Sequence, residues 1–247
     1  MSRLFCYSAA MASIAENIST IREQITKCAV ASGRSPDSVS LLAVSKTQSA
    51  ERVREAFAAG QRDFGENYVQ EALAKIAALP LPGICWHFIG PIQSNKTREI
   101  AGNFAWVHSV DRLKIAQRLD AQRPVSMAPL NVCIQVNLSA EETKSGTSLE
   151  EVEALCAQIG QLKNLRLRGL MAIPAPCADP VLQREVFRPL ADLLNRLAPH
   201  YPHMDTLSIG MSDDFESAIA EGSTIVRIGS AIFGPRAQIT SEPTPQQ

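Results

Sequence analysis

The amino-acid sequence predicts an α/β protein, a (β/α)8 TIM barrel with an extra helix at its N-terminus. Three observations predict it. Short aliphatic segments alternate eight times with segments of helical period, the signature of right-handed β-α-β crossovers and a parallel sheet. The chain has 247 residues, a size at which such a barrel forms one domain. It has neither a Gly/Ser/Pro-rich linker nor a Gly-x-Gly-x-x-Gly turn, which would favour an open dinucleotide-binding sheet.

The elements follow in order. Ile14, Ile18, Ile21 and Ile25 recur at helical spacing, so residues 12–31 predict an amphipathic helix closed by "SGRSP". Strands are predicted at "LLAVSK", "RDFGEN", "WHFIG", "AWVHSV", "NVCIQVN", "LRLRGLMAI", "TLSIG" and "TIVRIG". Helices are predicted at residues 50–59, 68–79, 95–101, 112–119, 149–162, 186–197 and 215–220, with a last turn at "SAIFG". The barrel domain thus covers residues 12–236, between a short extension at residues 1–11 and a Pro-rich tail at residues 237–247 expected to be disordered.

Composition excludes several classes. With 24 Lys+Arg against 25 Asp+Glu, no net field attracts nucleic acid or an anionic membrane. "QSNKTR" offers nucleic acid only Lys96 and Arg98, and its Asn95 reads as a helix cap. The six cysteines are scattered, without a C-x-x-C pair or metal-ligand spacing, which predicts reduced thiols, no metal and a reducing compartment, the cytoplasm. No apolar run reaches the roughly 20 residues needed to span a bilayer, and "MSRLFCYSAAMA" is a poor targeting signal.

Lys46 closes the first strand, on the same face as Leu42 and Val44. Barrel active sites gather at the C-terminal strand ends, although a lysine there serves equally as a solvated charge or an ion-pair partner. The last two units supply a reason for an amine. Ser208, Gly210 and Ser212 lead into a helix with Asp213 as its expected N-cap and Glu216 as the capping-box partner. Gly229 and Ser230 open a short helix after the eighth strand. Barrels often build a phosphate site from these two loops and a short extra helix. A phosphate opposite a lysine suggests a phosphorylated carbonyl ligand held as a Schiff base, an outline that aldolases and pyridoxal phosphate proteins both fit. Arg227, inside an apolar strand, reads either as a buried ion-pair partner or as a group facing a pyridine nitrogen.

The stretches "LLAVSKT", "DFGENYVQE", "WHFIGPIQSNK", "NVCIQVNLS", "TKSG", "LRGLMAIP", "LSIGMSDDFESAIAEGST" and "VRIGSAIFG" resemble the pyridoxal phosphate homeostasis protein family. That family is also called the proline synthetase co-transcribed or YggS-like group and is related to the N-terminal barrel of alanine racemase. The resemblance runs over residues 12–235. It implies pyridoxal 5′-phosphate bound as an aldimine on Lys46, with its phosphate on Ser208, Ser212, Gly229 and Ser230. It also implies Arg227 beside the pyridine nitrogen and Asn67 and His87 lining the pocket.

A permanently charged arginine at that nitrogen disfavours ring protonation and weakens the electron sink that amino-acid catalysis requires. A carrier or regulator of the cofactor in vitamin B6 homeostasis, monomeric and handing it to apo-enzymes, is therefore expected, with no catalytic residue. The alternative is a racemase-like enzyme, for which Tyr68 and His108 are the candidate bases. Relatives often carry a lysine where Gln48 stands and more lysines near the C-terminus. Lys144 of "TKSG" is a candidate second amine.

Overall fold

The computed structural model describes residues 12–138 and 145–234. The eight strands are β1 (Ser40–Val44), β2 (Asp63–Glu66), β3 (Cys85–Phe88), β4 (Trp106–Val110), β5 (Leu130–Gln135), β6 (Leu165–Met171), β7 (Thr206–Ser208) and β8 (Ile225–Ile228). They close in sequence order, each parallel to its neighbours, with β8 paired to β1 through Leu41↔Val226 and Leu42↔Arg227. Around them lie α1 (Ile14–Ala31), α2 (Ala50–Ala58), α3 (Val69–Ala78), α4 (Thr97–Asn103), α5 (Leu113–Gln122), α6 (Val152–Ile159), α7 (Pro180–Leu197), α8 (Phe215–Ala220) and α9 (Ser230–Phe233). The predicted barrel and its preceding helix are both present.

α1 starts where Ser13 accepts a hydrogen bond from Glu16 N–H and Glu16 answers on the Ser13 backbone, a complete capping box. Its buried stripe of Ile14, Ile18, Ile21, Ile25 and Ala29 packs against α2, α8 and α9, and Asn17 Nδ2 donates to the Ile232 carbonyl at 2.9 Å. The extra helix therefore closes the outer layer where the last barrel unit meets the first.

Strand alternation divides the core. Leu41, Ala43 and Phe64 join the large apolar layer between strands and helices, whereas Leu42, Val44, Ile89 and Ile225 form a small separate cluster. Gly65 belongs to that inner side, since a Cβ there would touch Ile89 and Leu42. The inner cluster marks the face along which Leu42 and Val44 lead to Lys46.

Several boundaries differ from the sequence reading. β1 ends at Val44, and Lys46 sits two residues later in a turn whose next residue, Thr47, has φ 64°. α7 starts at Pro180 rather than 186, capped by Asp179 with proline in its first turn. Its first turns leave Val181 and Leu182 exposed, so they carry no apolar period to read. The N-cap of α8 is Asp214, not Asp213, and its carboxylate accepts from Met211 N–H at 2.5 Å rather than forming a box with Glu216. Asn95 caps nothing, lying inside the 3-10 turn Ser94–Lys96 that Gln93 precedes. Residues 1–11, Lys144 and the tail lie outside the described residues.

Candidate functional site at the barrel mouth

A cavity of about 270 Å³ opens at the C-terminal ends of the strands, close to the lower end of the ~300–1,000 Å³ usual for small-molecule sites. It is lined by Lys46 after β1, Asn67 after β2, Ser212 after β7, Arg227 in β8, and Gly229 and Ser230 at the β8–α9 junction. Six of the eight residues expected from the sequence therefore meet around one space. Two larger clefts, about 440 and 320 Å³, border α1 and the N-terminal ends of β1 and β2 instead.

A buried ionic network holds the turn that carries Lys46. Lys75, from α3, donates to Glu66 Oε1 at 2.7 Å, to Glu71 Oε1 at 2.6 Å and to the Ser45 carbonyl at 2.6 Å. Ser45 Oγ donates to Glu66 Oε1 at 2.6 Å, and Thr47 N–H donates to Glu71 Oε1 at 2.5 Å. The residues on both sides of Lys46 are thus tied to one ammonium group. A threonine in the left-handed region costs on the order of 1 kcal/mol or more and persists only where its surroundings enforce it. Burial pushes the Glu66 carboxyl above its ordinary value, opposed by Lys75.

Arg227 lies at the cavity floor, 3% exposed. Its guanidinium donates to the Ala172 carbonyl at 2.8 Å, to Ser208 Oγ at 2.9 Å and to the Ser208 carbonyl. Burial lowers its pKa to about 10, with Asp214 opposing, so it stays charged at neutral pH. Ser212 and Ser230 bring their hydroxyls within 3.4 Å of each other. Val44, Ile89, Met211 and Ile173 supply apolar walls.

Ser208 and His87 are not at this mouth. Both are buried and lie in the layer beneath it, because their positions on β7 and β3 turn them into the barrel rather than onto the loops above. Ser208 Oγ contacts His108 Nδ1 at 2.9 Å, and His87 Nδ1 contacts His108 Nε2 at 3.0 Å. His108 is thus interior as well, its pKa lowered well below the usual imidazole value by burial and by the neighbouring His87 and Arg227. Tyr68 is 56% exposed on the rim, and neither it nor His108 lines the cavity.

Sequence reasoning did not find the Lys75–Glu66–Glu71 network: Glu71 and Lys75 are an i,i+4 pair on α3, but only packing of α3 on the barrel brings them to Glu66 and to the Lys46 turn. It also missed the approach of Asp63 and Cys85 to His87, the potential ligand atoms of the three lying within 4.8 Å of one another. Asp63 pairs with Cys85 across β2 and β3, a contact no linear spacing displays.

A phosphorylated pyridine aldehyde fits these residues. Asn67 Oδ1 is buried without a hydrogen-bond partner in the protein and belongs to a cavity-lining residue, an arrangement that calls for a ligand donor. The mouth combines an amine, a charged donor facing inward, a small-residue cradle and apolar walls.

These features define a barrel of the racemase class, and residues 10–237 match the family described as alanine racemase, N-terminal domain. The pyridoxal phosphate homeostasis protein of Pseudomonas aeruginosa is 60% identical over 226 residues, 92% of this chain and 97% of that protein. The protein of the same name from Escherichia coli K12 is 55% identical over 229 residues, 92% and 98% of the two chains. The solved structure of PipY from Synechococcus elongatus with PLP bound superposes with a TM-score of 0.80 at 38% identity, covering 90% of this chain and 100% of that one. The chain belongs to the pyridoxal phosphate homeostasis protein family.

Proposed function

We propose that the protein binds pyridoxal 5′-phosphate at the barrel mouth through Lys46 and serves vitamin B6 homeostasis as a carrier or regulator, without amino-acid turnover. The convergence of Lys46, Asn67, Arg227, Gly229 and the Ser212/Ser230 pair on one cavity carries this reading. The relative PipY, solved with PLP bound, supports it.

In this reading Lys46 is the capturing amine, presented by a turn that the Lys75 network keeps in place. Ser212, Gly229 and Ser230 receive the phosphate through hydroxyl and backbone donors. Asn67 Oδ1 accepts from a ring substituent, and Val44, Ile89 and Met211 exclude water from the ring. Arg227 faces the ring nitrogen. When bound, the cofactor supplies an aldehyde that condenses with amines and a ring that withdraws electrons from an attached carbon.

Two features favour carriage over catalysis. Arg227, a donor that stays charged, leaves the ring nitrogen an acceptor and the electron sink weak. Proton abstraction also needs a base within reach of the substrate, and neither Tyr68 nor His108 lines the cavity. Among the described residues no helix is long and apolar enough to cross a membrane. The reading includes a monomer in the cytoplasm that passes its cofactor to apo-enzymes and needs no nucleic acid, membrane or metal partner.

The test is solvent deuterium incorporation at Cα of L- and D-amino acids, run beside cofactor transfer to an apo-transaminase. Transfer without incorporation is expected. Incorporation at enzymatic turnover rates, abolished by Lys46→Ala, would make the racemase-like alternative correct.

A further inference from the structure

The barrel interior beneath the cavity is crossed by a line of polar side chains. Asp63 Oδ1 lies 3.1 Å from His87 Nε2, and His87 Nδ1 lies 3.0 Å from His108 Nε2. His108 Nδ1 lies 2.9 Å from Ser208 Oγ, which accepts from Arg227 Nη1 at 2.9 Å. The line joins β2, β3, β4, β7 and β8, running from a half-exposed acid at one end to a cation under the mouth at the other. A polar chain through a barrel interior needs every member satisfied, because each unpaired buried group costs about 1–3 kcal/mol.

The acid end determines its direction. A guanidinium only donates and an ionised carboxylate only accepts, whereas a hydroxyl can accept twice, so the Arg227 end alone fits either direction. Facing Asp63, His87 Nε2 must donate, which in neutral rings makes His87 Nδ1 and His108 Nδ1 acceptors and leaves Ser208 Oγ, which accepts from Arg227, to turn its hydrogen to His108 Nδ1. His108, neutral, carries its hydrogen on Nε2 and donates to His87 Nδ1. His87, neutral in turn, carries its hydrogen on Nε2 and donates to Asp63. One assignment satisfies all four contacts without placing two hydrogens or two lone pairs face to face. Burial lowers the proton affinity of both imidazoles, and the hydrogen bond from His87 holds Asp63 below its ordinary value despite its own burial. These directions agree with the neutral assignment.

We propose that Asp63, His87, His108 and Ser208 form a one-way hydrogen-bond relay that orients the Arg227 guanidinium from the far end of the barrel. This rests on the reading that Arg227 faces the cofactor ring. The four are positioning residues, since none lines the cavity. The relay restricts rotation of Arg227 and sets a negative charge at the opposite end of the chain from its positive one. Asp214, fastened by Met211 N–H, is the acid that acts directly on Arg227, and it belongs to the loop side of the site. The close approach of Asp63, Cys85 and His87 admits one rival arrangement. A divalent cation on His87 Nε2 would displace that hydrogen to Nδ1 and reverse the relay.

Nitrogen-15 NMR of the full-length protein, freed of cofactor and treated with a chelator, reads the tautomers directly. The chain has four histidines, and His200 and His203 are exposed, so two signals belong to the interior pair. His87→Gln and His108→Gln assign them. Both interior rings are expected as neutral Nε2–H tautomers, unchanged by added Zn2+. An Nδ1–H tautomer on either ring, or loss of the His87 Nε2–H signal with Zn2+, would overturn the relay.

The coupling to the mouth is read with Ser208→Ala and Asp63→Asn. Ser208→Ala is expected to weaken pyridoxal phosphate on the order of tenfold, as for one lost charge-assisted hydrogen bond, and to shift the absorption maximum of the bound cofactor. Asp63→Asn keeps an acceptor oxygen at a half-exposed position, so it is expected to give the same spectral shift with a smaller loss of affinity. Unchanged spectrum and affinity in both would remove the positioning role. Should the wild-type protein bind no pyridoxal phosphate, the functional reading fails while the tautomers still decide the relay.

Discussion

Two of the protein's buried cations, Lys75 and Arg227, are held in opposite ways. Between β1, β2 and α3, Lys75 sits against two carboxylates and a carbonyl, all within 2.7 Å. Inside the barrel, Arg227 is held by the Ala172 and Ser208 carbonyls and the Ser208 hydroxyl, with Asp63 at the remote end of a line of neutral groups. An adjacent ion pair fixes geometry but neutralises the charge locally. A cage of neutral acceptors fixes geometry and leaves the charge to act on a ligand. The first cation therefore supports the architecture of the Lys46 turn, and the second serves the site.

The largest effect is expected at the first. Lys75→Met leaves Glu66 buried and stripped of its main partner, which costs about 3–5 kcal/mol for a broken buried pair. Urea unfolding measures it, and a loss below ~1 kcal/mol would erase the contrast between the two regions. Arg227→Met leaves only neutral acceptors behind, so about 1–3 kcal/mol is expected together with a large loss of cofactor affinity. A greater stability loss than in Lys75→Met would invert the comparison.

The neutral line between the two ends has a pH signature. Burial lowers the folded pKa of His87 and His108 from the ordinary 6.5, so the unfolded chain binds protons that the folded chain refuses. Their contribution is fully present above 6.5 and is lost as pH falls below it, at about 1.4 kcal/mol per pH unit for each group. Unfolding measured between pH 7 and pH 5 should show that slope, reduced in His108→Gln. A flat profile would mean that the rings accept protons in the folded barrel.

How much of this was legible in the sequence depends on how far apart the interacting residues lie. The barrel was readable because period and punctuation are local: the Ile14–Ile25 stripe and the eight aliphatic segments each announce themselves within a dozen residues. The mouth was largely readable because strand ends are where loops collect, and Lys46, Asn67, Ser212 and Gly229 follow directly from strand ends. What lay outside reach was depth. Ser208 and Ser212 share a Gly/Ser stretch, yet one lies buried beneath the floor and the other lines the cavity, a difference that depends on where β7 ends. The Asp63–His87–His108–Ser208 line draws on four strands, and its register appears only once the barrel closes.

The smallest stability effect and the most direct test of the central claim fall on one residue. Lys46 stands on a turn that Ser45 and Thr47 fasten to the Lys75 network, so Lys46→Ala should keep the fold and change unfolding by no more than ~1 kcal/mol. Reduction of the cofactor-loaded protein with borohydride, followed by peptide mapping, should place a single phosphopyridoxyl group on Lys46 in the wild type and none in Lys46→Ala. A label that persists in the variant, on Lys144 or any other lysine, would contradict the assignment of the mouth amine.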